Sequence, residues 1–217
     1  MGLELIRRKL SELNISGYEL KKCTICRALL YSMHDTCSQC YKNICDRSKC
    51  HAAGLAVYTT IDRQKYVLMG RCSKHSDADR SRLLEFIGGV AAADNETPME
   101  TATRELWEET LETIDIRNRP LEFLGGHNNA NGNGYILYGY YIPFHKLQQA
   151  IQQFDEKARG RGDLEIDMLV LAKYDDLRRA PKNQCSPVSI RRQNQLVEMS
   201  IGKFAAMLSR LLPYSAI

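Results

Sequence analysis

Long apolar runs are missing from this 217-residue chain, and no stretch approaches the roughly 20 residues that a membrane-spanning helix needs. The opening segment, MGLELIRRKL, lacks the apolar core of a secretory signal peptide. Gly2 is followed by Ile6 where a myristoylation signal has Ser or Thr, so no lipid anchor is expected. Low-complexity tracts and internal repeats are absent too, which excludes fibrous and solenoid architectures. Neither sign of charge is in large excess. Thirty Lys and Arg against 26 Asp and Glu leave a formal charge of +4, which permits nucleic-acid binding without requiring it. The expectation is a cytoplasmic globular protein with no membrane partner, of a length that suits one main domain and a small appendage.

Cysteine, by contrast, is concentrated. Six of the eight cysteines lie at Cys23, Cys26, Cys37, Cys40, Cys45 and Cys50, in the pattern C-x2-C-x10-C-x2-C-x4-C-x4-C-H. In a chain without a secretion signal, thiols stay reduced and C-x2-C pairs read as zinc knuckles rather than disulfides. One arrangement joins Cys23 and Cys26 to Cys45 and Cys50, leaving Cys37 and Cys40 to complete a second site with Cys72 and His75. The other is a single site on the first four cysteines, with His51 or His34 as a substitute ligand. One or two structural zinc ions are therefore expected in residues 1–51. Cys185 stands alone and reads as a buried or unremarkable thiol. His127 and His145 carry no spacing signal.

Acidic residues are concentrated further along, in GGVAAADNETPMETATRELWEETLE (residues 88–112). On a helix, Glu105, Glu108 and Glu109 stand at i, i+3 and i+4 and share one stripe. Carboxylates that close repel, and a hard divalent cation such as Mg²⁺ or Mn²⁺ would relieve them while also binding phosphate. Met99, Ala102 and Leu106 supply an apolar face for packing. Thr97-Pro98-Met99-Glu100 reads as a capping box with Pro at the first helical position. Gly88 and Gly89 end the run LLEFI and let backbone come close to whatever the glutamates hold, so both are candidate substrate-binding positions. A charge run is ordinarily a solvated helix face. The order of strand-like run, double glycine and capped helix argues for a site instead.

This ensemble resembles the signature of the Nudix hydrolases. Glu96, Arg104, Glu105, Leu106, Glu108 and Glu109 fall on the family pattern, with the seven-residue gap from Glu96 to Arg104 kept. Two positions depart from it. Six residues separate Gly89 from Glu96 where the family has five, and Leu111 stands where the family has the glycine that stops the helix. The resemblance implies Mg²⁺ or Mn²⁺ on Glu105, Glu108 and Glu109, and a role for Arg104 in orienting glutamates by charge-assisted hydrogen bonds. Glu96 is assigned to organising the loop. Glu109 is the first candidate for general base; Glu165 resembles a downstream glutamate that many such enzymes use as base or extra ligand.

Around the motif, residues 3–13 have helical spacing, and AGLAVYTTI and KYVLMGR read as strands about a turn at IDRQK. TIDI, LEFLGG, YILYGYYIPF and EIDMLVLAKY read as further strands. Residues 145–157 and DDLRR read as helices. From Ser189 to Leu212 an amphipathic pattern with Leu196, Met199, Phe204 and Leu208 reads as a closing helix. The expected fold is α+β, an α/β/α sandwich with a mixed sheet in residues 52–217, preceded by the zinc module. The resemblance implies the same fold.

Substrate choice lies outside the motif. By resemblance, the reaction is hydrolysis of a diphosphate linkage in a nucleoside diphosphate joined to another moiety. Basic residues cluster at Arg159 and Arg161, at Arg178, Arg179 and Lys182, and at Arg191 and Arg192, as phosphate contacts for RNA would. Tyr135, Tyr138, Tyr140 and Tyr141 offer rings for base stacking, although alternation assigns about half of them to the core. The layout looks like that of Nudix proteins of large DNA viruses, the baculovirus ADP-ribose pyrophosphatase-like group being nearest, which extends the expected location to host cytoplasm or nucleus. That resemblance implies two substrates. One is the 5′ cap of mRNA, giving methylated guanosine diphosphate and 5′-monophosphate RNA; the other is ADP-ribose, giving AMP and ribose 5-phosphate. A zinc-dependent RNA-binding or scaffold protein without catalysis is the reading of another class. The zinc module and the C-terminal pattern are both candidate homodimer surfaces.

Structural zinc contributes folding free energy, so its verified removal is expected to lower the melting temperature of the whole protein. An unchanged melting temperature would remove the zinc assignment.

Overall fold

A computed structural model describes residues 20–22, 29–31, 51–73, 81–93, 95–128, 134–181, 184–192 and 195–212. The chain divides into two compact units, Met1–Ile44 and Cys45–Ile217. In the first unit, β1 (Leu20–Lys22) and β2 (Leu29–Tyr31) pair antiparallel, Lys21 opposite Leu30. The helix expected over residues 3–13 lies outside the described residues.

In the second unit the chain enters β3 (His51–Ile61), turns through Asp62 and Arg63, and returns as β4 (Gln64–Cys72). Both turn residues have positive φ, 49° and 65°, as a two-residue hairpin loop requires for its twist to match the strands. Two short strands follow, β5 (Leu84–Glu85) and β6 (Ile87–Val90), then α1 (Pro98–Glu109), β7 (Glu122–Asn128) and β8 (Gly134–Tyr141). The remainder is α2 (Phe144–Ala158), β9 (Ile166–Lys173), α3 (Tyr174–Arg179), β10 (Ser186–Arg192), β11 (Gln195–Ile201), α4 (Lys203–Leu208) and a final 3₁₀ turn.

The sheet runs β5-β11-β10-β9-β4-β3-β8-β7, with β6 paired to β3. It is mixed: β3 and β8 are parallel, as are β11 and β5, and the other pairings are antiparallel. β5 also pairs with β4, so β4, β9, β10, β11 and β5 close into a barrel-like loop. Alternation sends Ala56, Val67, Met69, Val170 and Val188 to one face, where α3, α4 and the chain end pack on them. Leu55, Leu68, Leu169 and Leu171 point the other way, toward Leu106 of α1 and Leu147 and Phe154 of α2. Central strands covered on both faces read as continuous apolar runs, and β4 is buried from Tyr66 through Gly70. This is the expected mixed α+β architecture. Among the described residues, no helix is long and apolar enough to cross a membrane.

Two expectations need correction. Thr113–Ile116 is not a strand but irregular chain, with Ile114 and Ile116 buried; alternating apolar residues anchor a loop here and pair with no described strand. The C-terminal pattern is not one amphipathic helix. Ser186–Ile201 is a β-hairpin, and only Lys203–Leu208 is helical. Val188 and Ile190 alternate into the core, whereas Leu196 and Val197 on β11 are exposed, so the apparent helical stripe belongs to no single buried face.

The end of α1 shows how the chain copes without its glycine. Leu111 and Glu112 take positive φ, 53° and 64°, and Glu112 N–H donates to the Trp107 carbonyl at 2.7 Å, the long bond of a left-handed helix stop. Lys157 of α2 donates to the Leu111 carbonyl at 2.7 Å. A non-glycine residue in this region costs about 1–2 kcal/mol. Leu111→Gly is therefore expected to raise the unfolding free energy by up to about 1 kcal/mol, after the added freedom of the unfolded chain is counted. Leu111→Val, β-branched, should lower it. Denaturant titration of the pair checks the sign.

Candidate active site

Gly88 and Gly89 lie on β6 opposite Gly54 and Ala53 of β3. A Cβ at Gly89 would stand 2.5 Å from Oε1 of Glu105, so the missing side chain is the space that the carboxylate occupies. At Gly88 a Cβ would meet the Ala53 carbonyl at 2.4 Å and the Tyr135 hydroxyl at 2.7 Å, while its N–H donates to Oε2 of Glu109 at 3.2 Å. The glycines, expected to admit substrate, thus make room for and hold two of the glutamates.

The loop and helix start follow from local hydrogen bonding. Ala92 N–H donates to Oε2 of Glu96 at 2.6 Å, which pins the one-residue-longer loop. Thr97 caps α1: Glu100 N–H donates to its Oγ1, and its own N–H donates to the Glu100 carboxylate at 2.8 Å, with Pro98 at the first helical position. The Thr97 N–H and the Thr97 hydroxyl, both donating to it, hold the Glu100 carboxyl below the usual carboxylate range.

Arg104 collects the acidic side chains. Its Nε donates to Glu96 at 2.8 Å, its Nη1 lies 2.8 Å from both Glu105 and Glu108, and its Nη2 donates to the Val90 carbonyl at 2.9 Å. The hydrogen bond from Arg104 lowers the Glu96 carboxyl, and Glu96 in turn raises the guanidinium further. Glu105 is different. Burial pushes its carboxyl up, the charge of Arg104 counters only part of that, and the charges of Glu108 and Glu165 add to the rise. Glu165 immediately precedes β9, is exposed, and is tied by its carbonyl to Ser73 N–H at 2.7 Å. The structure therefore brings Glu96, Arg104, Glu105, Glu108, Glu109 and Glu165 into one neighbourhood.

Other expected residues are placed elsewhere. Tyr138 is 5% exposed and packs edge-on against Phe123 at 6.2 Å, so it is core and not a stacking platform. Arg178 is buried and donates to the carbonyls of Arg210 and Leu212, which makes it a tether for the chain end. Arg191 and Arg192 line a pocket between α2 and β10, apart from the glutamates. Cys72 is buried in β4, and Cys185 is exposed. Cys23, Cys26, His34, Cys37, Cys40, Cys45, Cys50, His75 and Lys182 lie outside the described residues.

Sequence reasoning passed over a cleft of about 680 Å³ beside α1, lined among others by Thr97, Thr103, Arg104, Arg117 and Arg119. Arg117 lies over the Trp107 ring at 4.4 Å and pairs with Asp115 at 2.7 Å. Its signal was the basic R-N-R just past the motif. Tyr135 was also missed in this role: its hydroxyl sits against Gly54 and Gly88, under the backbone that holds Glu109.

Among the described residues, no three His, Cys, Asp or Glu side chains converge into a cage that would hold an ion unaided. The donor set still fits Mg²⁺ or Mn²⁺. These ions take one or two carboxylates, keep several waters and use substrate phosphate for the remaining positions, and Glu105, Glu108 and Glu109 on one stripe of α1 offer hard oxygen donors of that kind. Because the Glu105 carboxyl is raised in the folded chain, its contribution to stability is full below the ordinary carboxylate range and is lost as pH rises through its folded value. In buffer free of Mg²⁺ and Mn²⁺, raising the pH from about 4 to about 7 should therefore cost Glu105→Gln less melting temperature than wild type. An identical pH dependence for both would contradict the assignment.

Residues 51–182, more than half of the chain, match the family model of the NUDIX domain. Matching solved structures include NrtR of Shewanella oneidensis, at 20% identity over 60% of this chain and 55% of that one, TM-score 0.42. A mutT/nudix family protein from Listeria innocua matches at 17% identity over 58% and 78%, TM-score 0.40. T. brucei MERS1, in its complex with RNA, matches at 18% identity over 45% and 36%, TM-score 0.38. The chain thus spans 55% of the length of NrtR. A comparison with curated proteins returns no match. On the domain match, with the capped α1, its glutamates and Arg104 in place, the chain belongs to the NUDIX domain family.

Proposed function

We propose that this Nudix protein is a divalent-metal-dependent hydrolase of a diphosphate linkage, acting on the 5′ cap of mRNA and releasing methylated guanosine diphosphate and 5′-monophosphate RNA. The observation that carries the reaction class is the set of Glu105, Glu108 and Glu109 ordered by Arg104 and the glycine backbone, with the charge of Glu165 reaching Glu105. Mg²⁺ or Mn²⁺ held by these glutamates would supply charge neutralisation at the phosphates and a lowered pKa for attacking water. Arg104, spanning Glu96, Glu105 and Glu108, is a positioning residue that fixes their rotamers before substrate arrives. Glu109, held by Gly88 N–H, and Glu165, at the strand end, are the two candidates to take the proton from water. Capped RNA as the substrate class is supported by Arg117 and Arg119 beside the cleft and by the cysteine-rich segment, read as a structural zinc module, ahead of the domain.

Capped RNA, free cap dinucleotide and ADP-ribose, compared side by side with Mg²⁺ and with Mn²⁺, test the proposal. The expected outcome is release of the capped guanosine diphosphate from RNA, slowed about 10²–10⁴-fold in Glu109→Gln with fold and binding retained. Preference for ADP-ribose, yielding AMP and ribose 5-phosphate, would make this a small-molecule pyrophosphatase. Binding without turnover of any substrate would make it an RNA-binding or scaffold protein on a Nudix fold.

A further inference from the structure

A second pocket, of about 310 Å³, opens between α2, β9 and β10. Gln148, Gln152 and Asp155 stand at i, i+4 and i+7 along one flank of α2. Phe144 and Ile151 give apolar walls, and Arg191 and Arg192 of β10 close the far side. The opposite flank of α2, with Lys146 and Ala150, faces the loop that follows α1. Arg191 is opposite Leu171, so Arg192 lies beside Val170, about 17 Å along β9 from Glu165 by strand rise. The pocket is thus separate from the glutamates.

Arg192 in its lining is held differently from other arginines in the fold. Arg71, Arg104, Arg117 and Arg161 close on carboxylates at 2.7–2.8 Å. Arg192 reaches both oxygens of Asp155 only at 3.4 Å, spends Nη1 on the Met168 sulfur, and leaves its Nε–H buried without an acceptor. Arg191 lies 3.7 Å from Asp62, a side chain 87% exposed, and 5.9 Å from the centre of the Phe144 ring. A buried donor without a partner is costly, and a soft thioether is a poor acceptor for a guanidinium. Phosphate oxygens suit such a fork. The lining itself holds two arginines and one aspartate, with Asp62 outside it 3.7 Å from Arg191. An apolar wall with two side-chain amides and a carboxylate suits a planar heterocycle bearing both donors and acceptors.

We propose that this pocket binds a nucleoside monophosphate unit, the base between Phe144 and Ile151 with its edge read by Gln148, Gln152 and Asp155, and the phosphate on Arg191 and Arg192. The site does not depend on the identity of the hydrolysed substrate. It takes either a free mononucleotide or a nucleotide of an RNA strand.

Titration of the full chain carrying Glu109→Gln, in buffer without Mg²⁺ or Mn²⁺, with GMP, AMP, guanosine and ribose 5-phosphate tests it. At least one nucleotide should bind about tenfold or more tighter than its fragments, since base and phosphate each contribute. Arg192→Gln should weaken the nucleotide about tenfold and leave guanosine unchanged. Ile151→Trp should fill the cavity and abolish both; Gln148→Ala, on the flank away from the core, should weaken the base contribution even if the tryptophan variant fails to fold. Displacement of bound nucleotide by a short 5′-monophosphate RNA would assign the site to a strand, and binding of free nucleotide alone would assign it to a small ligand. Absence of nucleotide binding up to about 10 mM, equal binding of ribose 5-phosphate, or indifference to Arg192→Gln would overturn the proposal. All of these readouts are independent of turnover, so loss of the cap reading leaves them intact.

Discussion

Four carboxylates and one guanidinium set the terms for the rest of this molecule. Glu96, Glu105 and Glu108 all reach Arg104, while Glu109 turns to the backbone N–H of Gly88. A helix carrying glutamates at i, i+3 and i+4 is electrostatically unfavourable on its own. Arg104 removes part of that repulsion and fixes where the side chains point. Glu105 keeps a raised carboxyl, first because burial outweighs the arginine and further because the charges of Glu108 and Glu165 add to the rise. Carboxylates gathered and oriented in this way suit a cation taken up together with phosphate.

That arrangement explains features that look unrelated. Gly89 is free of a side chain because the Glu105 carboxylate lies where a Cβ would be. Gly88 and Gly54 face each other across β6 and β3 with the Tyr135 hydroxyl against them, so the strand carrying the glutamate-binding N–H is packed from beneath. Tyr135 meets Phe204 of α4 edge to face at 5.0 Å, which connects the C-terminal segment to the floor of the site. The hairpin β10–β11 thus does two jobs: it completes the sheet, and it carries the arginines of the second pocket.

The helix stop at Leu111 shows how far the family pattern can bend. The left-handed turn is formed without glycine, supported by the Glu112–Trp107 bond and by Lys157 from the neighbouring helix. Tertiary support has replaced a local preference. The longer loop before α1 is treated similarly, with Glu96 accepting from Ala92 and from Arg104.

Short-range physics was legible in the sequence. The capping box at Thr97, the helical period that aligns Glu105, Glu108 and Glu109, the glycine pair, and the turn at Asp62–Arg63 all depend on neighbours within a few residues, and the chain spells those out. Pairing between distant strands is not spelled out in this way. Leu196, Met199, Phe204 and Leu208 have helical spacing, yet long-range registry with β10 and β5 made most of that stretch a hairpin. Thr113–Ile116 alternates like a strand and found no partner. Tyr138 and Arg178 read as surface ligands because a sequence does not say which side of a sheet is covered; burial decided it. By itself the sequence determined the chemistry of the glutamate helix, since helix periodicity is local. The approach of Glu165, the role of Tyr135 and the pairing of Arg192 with Asp155 were decided only by tertiary structure, because each joins residues that meet only after the sheet has formed.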